Sequence, residues 1–369
     1  MRLLHVFPTF RIGGSQVRFA ALAEALGTRL EHTVIAIDGN HAARVLLPAC
    51  LNVSYAEAPA GRSLLARVAA YRAFLRDFSA DILVTYNWGA IEWAIANALG
   101  RTPHIHMEDG FGPEEVYRQI PRRRWARRLL LRHSTIVVPS IALSDIAAGS
   151  WKIKSPRLKH IPNGIACRTQ YKTAIPDLGL DLPPDLPRIV WAGALRPEKN
   201  PLRLLQAFAP LRGKAILLML GGGPQMRDLL AEAERLALMP SIRILGDRTD
   251  ARDIIMQCDV MALSSDTEQM PFAILEGMDA GLAVASVDVG DVRQMVAAEN
   301  RPFIVAAQGN ALAKALDQLV CDRPLRNAIG LANKRRIREC YDLRTMAARY
   351  AALFAAIAAP ARQGPLRHV

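Results

Sequence analysis

The chain has 369 residues, 51% of them apolar and 6% aromatic, with 47 Lys and Arg against 34 Asp and Glu. That length exceeds one typical core and fits two domains of roughly 150–200 residues. Plentiful Ala, Leu and Arg beside few aromatics exclude an all-β sandwich in favour of helices packed on sheets.

Short apolar runs alternate with helical patterns from the start of the chain. Residues 3–7 read as a first buried strand, too short for a signal peptide. Gly13 and Gly14 follow it and lead into a helix over 16–26. Glycines between a strand and a helix let a ligand approach the backbone closely, and a plain tight turn uses them equally well. The pattern is not GxGxxG, and no acidic residue closes a second strand about 20 residues on, so a dinucleotide fold is poorly supported. Further strands are predicted at 32–37, 82–86, 104–107 and 135–140, with a helix at 64–78. Such βα units imply a parallel sheet.

Residues 169–187, rich in Pro, Asp and Leu without a period, read as a linker with a hinge near 180. The alternation then restarts, with strands predicted at 188–195, 215–220, 242–245, 259–265 and 283–287. Residues 342–358 read as one helix. The expected division is an N-terminal domain over 1–170, a second domain over 171–341, and a C-terminal helix over 342–369 packing back on the first.

Charge is uneven. Residues 1–170 hold 22 Lys and Arg against 12 Asp and Glu, and the remainder is nearly balanced within a net +13. Arg122, Arg123, Arg124, Arg127, Arg128 and Arg132 cluster with Trp125 and Leu129. The run suits a helix lying on an anionic membrane surface. It equally suits a solvated helix with one face packed on the sheet. It lacks the interleaved aromatics and motifs of RNA binders, which sets nucleic acid aside. No apolar run approaches the roughly 20 residues that span a bilayer. The five cysteines are scattered and form no CxxC pair, which argues against a disulfide framework or a zinc site. The expected location is the cytoplasm, with the inner face of the cell membrane as the alternative placing.

Three motifs in the second half carry chemistry. Residues 267–281 follow a strand. Glu268 sits in the turn at its carboxyl end, and a helix begins near Pro271, a residue suited to a first helical position. Glu276 lies more than a turn into that helix. Ligands of open α/β sheets bind at the carboxyl ends of strands, and helix N-termini suit phosphate. Two carboxylates there can accept hydrogen bonds from hydroxyls, or can be solvated surface groups. The loop at 193–200 places Arg196 and Lys199 where they can meet a diphosphate. Gly221, Gly222, Gly223 and Pro224 lack the Lys-Ser/Thr of a P-loop, so an ATPase is excluded.

Taken together these residues resemble glycosyltransferase family 4, retaining enzymes of the α/β GT-B fold. Two Rossmann-like domains then set their parallel sheets face to face across a cleft. The resemblance covers nearly the whole chain, with six parts in family order: the Gly13–Gly14 loop, 193–199, 221–224, 259–265, Glu268-x7-Glu276, and the turn at Asp288, Val289 and Gly290. It implies that Gly14 offers its backbone to donor phosphate or acceptor and that Lys199 meets the diphosphate. Glu268 then stands beside the transferred sugar, and Glu276 takes the ribose hydroxyls. No bound metal or other cofactor is expected, because positive side chains and a helix N-terminus offset the charge on the leaving diphosphate. The implied partners are a UDP- or GDP-sugar donor and a glycan or lipid-linked acceptor.

Two positions depart from the family pattern. Ala194 stands where an Arg usually follows the glycine, with Arg196 as the substitute cation. Asp109 stands where a His is usual, with His106 three residues earlier. Asp109 is therefore a candidate catalytic position together with Glu268 and Lys199. Gly14, Arg196, Lys199, Glu268, Glu276 and Gly290 are the candidate donor contacts. The rival readings are a sugar-nucleotide epimerase on the same scaffold and a non-catalytic nucleotide-sugar-binding protein.

Overall fold

The computed structural model describes residues 1–98, 100, 102–115, 119–168 and 182–359. Of the linker expected at 169–187, residues 169–181 lie outside the described residues, as does the hinge near 180. The chain divides into two compact units, one over Met1–Ala166 joined by the C-terminal helix Leu343–Ala358, the other over Cys167–Asp342.

The first unit is built on seven parallel strands: β1 (Arg2–Phe7), β2 (Glu31–Ala36), β3 (Val53–Ala56), β4 (Ile82–Tyr86), β5 (His104–Met107), β6 (Thr135–Val138) and β7 (Leu158–His160). Their order is β3-β2-β1-β4-β5-β6-β7. Strand side chains alternate between faces, and β1 serves two cores. Leu3 and Phe7 pack with Phe19 and Leu22 of the helix Gly14–Leu26, and with Met346, Tyr350 and Phe354 of the C-terminal helix. Leu4 and Val6 pack with Tyr71, Leu75 and Trp93 on the other side. Rings stack on both faces, Phe7 on Tyr86 at 3.7 Å and Tyr71 on Trp93 at 4.4 Å between centroids.

The second unit repeats the plan with six parallel strands: β8 (Arg188–Ala192), β9 (Ile216–Leu220), β10 (Ile242–Gly246), β11 (Val260–Leu263), β12 (Ala283–Val287) and β13 (Ile304–Val305). Their order is β10-β9-β8-β11-β12-β13. One core joins Trp191, Leu217, Met219 and Ala262 to Leu204 and Phe208 of the helix Pro201–Phe208 and to Leu316 of the helix Ala311–Cys321. In both units the winding reverses beside the first strand, between β1 and β4 and between β8 and β11. The crevice at the carboxyl end of such a reversal is the usual ligand site of doubly wound sheets.

Differences from the sequence reading fall at edges and strand ends. Strands β3, β7 and β13 were not predicted; they are short and border their sheets, and half-exposed strands carry little apolar signal. Strand β8 stops at Ala192, not at residue 195, and β11 at Leu263, not at 265. The residues thus released form the loops of the site. Strand β6 ends at Val138 because Ser140 caps the next helix, its hydroxyl accepting from the Leu143 amide at 3.1 Å.

The first unit also buries a set of histidines. His5 bonds through Nε2 to His32 Nδ1 at 2.9 Å and through Nδ1 to the Tyr86 hydroxyl at 3.0 Å. His104 bonds through Nε2 to Thr85 at 2.8 Å and through Nδ1 to Ser134 at 2.7 Å. Burial lowers His32 to about 4 and His104 to about 3, the latter helped by His106, and lowers His5 as well. Their folded values lie below the ordinary 6.5, so the unfolded chain binds protons first as pH falls. Stability is full above pH 6.5 and drains away toward pH 4. Each of His32 and His104 removes about 2 kcal/mol by pH 5. Denaturant midpoints are expected to drop between pH 7 and pH 5, and a flat profile over that range would contradict the assignment.

Candidate active site

The loops leaving β8 and β11 meet at the reversal point of the second sheet. A cross-link of side chains ties them together. Lys199 Nζ donates to Glu268 Oε1 at 2.6 Å, and the Ser265 hydroxyl donates to the same oxygen at 2.8 Å. Ser264 Oγ donates to the Lys199 carbonyl at 3.1 Å, and the Asp266 amide to the Glu198 carbonyl at 2.8 Å. Arg203, on the helix Pro201–Phe208, pairs with Asp266 at 2.6 Å and donates to the Ser264 carbonyl at 2.8 Å. Two loops 69 residues apart are thereby held in one geometry. The Glu268 side chain is 9% exposed and that of Lys199 28%, so the pair faces an opening while its carboxylate stays mostly dry.

Glycines position this pair through the backbone. Gly290 has φ +52°, and a Cβ there would lie 2.4 Å from the Glu268 carbonyl oxygen and 2.6 Å from that of Gln269. The Asp291 amide donates to the Gln269 carbonyl at 2.9 Å. Gly290 thus holds the turn that presents Glu268, through backbone contact. Gly221 does the same for the 193–199 loop, since a Cβ there would stand 1.9 Å from the Gly193 carbonyl oxygen. Gly290→Ala is expected to push the Glu268 turn aside and cut kcat/KM about 100-fold with little change in far-UV circular dichroism. Wild-type kinetics in that variant would show the contact to be slack.

The remaining candidates of this unit stand apart from the pair. Arg196 is 57% exposed and lies 4.0 Å from Glu198. It is free to turn toward an anion. Glu276 sits in the helix Phe272–Ala280, which starts one residue later than predicted because Pro271 is its extended N-cap. Burial raises the Glu276 carboxyl, opposed by Arg252 and reinforced by Asp279. Arg252 itself pairs with Asp279 at 2.8 Å.

In the first unit, Gly14 is exposed and opens the helix Gly14–Leu26, two residues before the predicted start. One turn on, that helix carries Arg18, which is 2% exposed. Its guanidinium clasps Asp109, with Nη1 on Oδ1 and with Nη2 on Oδ2 at 2.8 Å, and Nη1 also reaches Asn163 at 3.3 Å. The Asp109 amide donates to Asn87 Oδ1 at 2.7 Å. Both Asp109 oxygens are therefore engaged by one arginine. His106 faces inward, 3.5 Å from Glu108. Arg18 escaped the sequence reading, because a lone Arg in a helical pattern carries no sign of a partner 91 residues away.

The basic run at 122–132 is not a single face. It forms the helix Pro121–Leu130, and two of its arginines turn inward. Arg127 is wholly buried. It donates to Glu108 at 3.1 Å and to both oxygens of Glu115 at 3.2 and 3.1 Å. Trp88, Phe111 and Trp151 surround its guanidinium. Arg123 pairs with Glu114 and Glu115. Among the described residues no helix is long and apolar enough to cross a membrane.

Two doubly wound units, the second with a lysine–carboxylate pair where its loops converge, have the α/β GT-B fold. The chain belongs to the group 1 glycosyltransferases of family 4. The model described as "Glycosyltransferase Family 4" matches residues 12–168, and that described as "Glycosyl transferases group 1" matches residues 186–322. The lipopolysaccharide core biosynthesis glycosyltransferase LpsE of Rhizobium meliloti is 30% identical over 151 residues, 41% of this chain and 44% of LpsE. The D-inositol 3-phosphate glycosyltransferase of Stackebrandtia nassauensis is 23% identical over 264 residues, 66% of this chain and 58% of that protein. The matched segments thus span about half of these relatives' own length. Among solved structures, Anabaena Alr3699/HepE in complex with UDP-glucose superposes with a TM-score of 0.82 at 20% identity, covering 96% of this chain and all of HepE.

Proposed function

We propose that the protein is a retaining glycosyltransferase. It moves a sugar from a UDP- or GDP-linked donor to a glycan or lipid-linked acceptor in surface polysaccharide or glycolipid assembly. The observation that carries this reading is the Lys199–Glu268 pair at the carboxyl ends of β8 and β11. A lysine has three N–H donors, and Glu268 takes one of them, so the ammonium can bridge the carboxylate and an arriving diphosphate. Glu268 then accepts from hydroxyls of the transferred sugar. Lys199, Arg196 and the nearby helix N-terminus offset the charge that grows on the leaving diphosphate, which makes the reaction independent of a divalent metal. In the retaining sequence the acceptor oxygen attacks from the donor's own face. The bond from the anomeric carbon to the diphosphate breaks, and the departing phosphate oxygen takes the acceptor's proton. The UDP and UDP-glucose complexes of HepE and the polysaccharide-related name of LpsE support this choice of donor and pathway class.

A thermal-shift screen against UDP- and GDP-sugars tests the donor, because a ligand that binds only the native state raises its melting temperature. One donor class is expected to raise Tm by several degrees in the presence of EDTA, and Lys199→Met to abolish the shift. No shift with any nucleotide sugar would overturn the reading.

Ribose binding supplies a second check. Ionised Glu276 accepts from the ribose hydroxyls, and burial raises its carboxyl above the ordinary carboxylate range. Donor affinity should therefore begin to fall in acid at a higher pH than an ordinary Glu would dictate. Glu276→Gln should bind donor about 10-fold more weakly and lose that pH dependence. An unchanged acid limb in the variant would remove Glu276 from the donor site.

A further inference from the structure

The outward half of the basic helix lines a pocket that includes none of the candidate site residues described above. Arg124, Trp125 and Arg128 form one wall, and Gly149, Ser150 and Lys152 the other, around a cavity of about 290 Å³. The inward arginines of the same helix, Arg123 and Arg127, take up Glu108, Glu114 and Glu115. Arg124, Arg128 and Lys152 make no ion pair with any described carboxylate. The helix is thus sorted, with its acidic partners on the buried side and, of its uncompensated cations, Arg124 and Arg128 at the pocket and Arg122 outside it.

Apolar groups border the same face. Trp125 is 59% exposed and Leu129 58%, and the Arg128 guanidinium lies over the Trp125 ring at 5.1 Å. An exposed Trp and Leu one helical turn apart, flanked by arginines, is the composition of an interfacial surface. Lys152 holds a left-handed backbone, φ +58°, unfavourable for a residue with a side chain. The helix Ile141–Gly149 ends beside the pocket, and its carboxyl-terminal dipole works against an anion. That dipole amounts to about half a charge against three full cations, so the pocket remains strongly anion-attracting.

We propose that this pocket binds the phosphate of one anionic phospholipid headgroup while Trp125 and Leu129 enter the interfacial layer. The proposal deepens the reading of a membrane-linked acceptor and rests on it. It differs from attraction by general surface charge in assigning the work to Arg124, Arg128 and Lys152 rather than to every exposed arginine of the helix.

Co-sedimentation of the full chain with vesicles of phosphatidylcholine containing phosphatidylglycerol tests this. Wild-type protein is expected to bind, with Arg124→Ala, Arg128→Ala and Lys152→Ala each losing about 10-fold or more. A cation that merely lies near the surface contributes about fivefold, and Arg122→Ala, outside the pocket, should lose no more than that. Equal losses across all four variants would leave the surface attraction standing and remove the pocket. No binding to the vesicles would remove both. Saturable binding of free glycerol phosphate below millimolar concentration would reassign the pocket to a soluble phosphate ester, and tighter binding of single-stranded RNA than of vesicles would reassign it to nucleic acid. Either outcome overturns the proposal. All variants should keep the thermal shift with donor, so a failure here is distinct from a failure of the glycosyltransferase reading.

Discussion

Glu268→Ala is expected to slow sugar transfer by about 1,000-fold at saturating donor, with the protein still folded. The carboxylate is 9% exposed and holds two donors, Lys199 at 2.6 Å and Ser265 at 2.8 Å. Removing one preorganised polar group from a transition-state site costs 100- to 1,000-fold in comparable cases, and here the truncation also releases Lys199 from its position. Lys199 is partly exposed, so its freed ammonium can hydrate and the stability cost stays near 1 kcal/mol. Glu268→Gln keeps the acceptor oxygen and loses the charge, and should fall between wild type and Ala. The ratio of initial rates under identical donor saturation checks this. Equal kcat in the Ala variant and wild type would take Glu268 out of the reaction.

Arg127→Ala is expected to destabilise the first unit by about 3–5 kcal/mol. Glu108 and Glu115, both buried, would each lose a cationic partner, and breaking a buried ion network from one side strands the remaining charges. Trp88, Phe111 and Trp151 would lose the group they enclose. Arg128→Ala, one residue on, removes an exposed side chain that lies over the exposed Trp125 ring and has no buried charge partner, and should change stability by less than about 0.5 kcal/mol. Urea midpoints of the two variants compared with wild type measure the contrast. If both arginines cost the same, the sorting of this helix into an inward and an outward half is wrong. A triple replacement of Arg127, Glu108 and Glu115 by uncharged residues should recover part of the loss, because neutral groups carry no stranded charge.

That contrast shows what the sequence could and could not reveal. Arg127 and Arg128 are neighbours of one type in one run, and only the loop carrying Glu108 and Glu115 separates them. Central strands were legible because both faces are covered, so β9 reads as an unbroken apolar run and Leu3–Phe7 of β1 as one interrupted only by His5. Edge strand β3 was not, since Ser54 and Tyr55 face out. The parallel sheets follow from βα alternation, and with them the expectation that ligands meet the loops at the carboxyl ends of the strands, whereas the order of the strands comes from the structure. Glu268 and Lys199 stood out through a resemblance spread along the chain, whereas the web of Arg203, Asp266, Ser264 and Ser265 that holds them has no local pattern. Asp109 was noticed as a departure from a family position. Its meaning required Arg18, which no spacing rule connects to it. Gly290 was expected among the donor contacts. Its observed contact is with the carbonyls of Glu268 and Gln269, a backbone relation that only the folded chain displays.

In the proposed reaction a nucleoside diphosphate leaves while the sugar keeps its anomeric configuration. Proton NMR of the purified protein with the donor selected by thermal shift, in EDTA, follows that step directly, because slow donor hydrolysis needs no acceptor. The expected result is release of the nucleoside diphosphate together with a sugar that first appears in the donor's own anomeric form, and loss of that release in Glu268→Ala. A sugar changed at another carbon while still attached to its nucleotide, or release first in the opposite anomeric form, would contradict it.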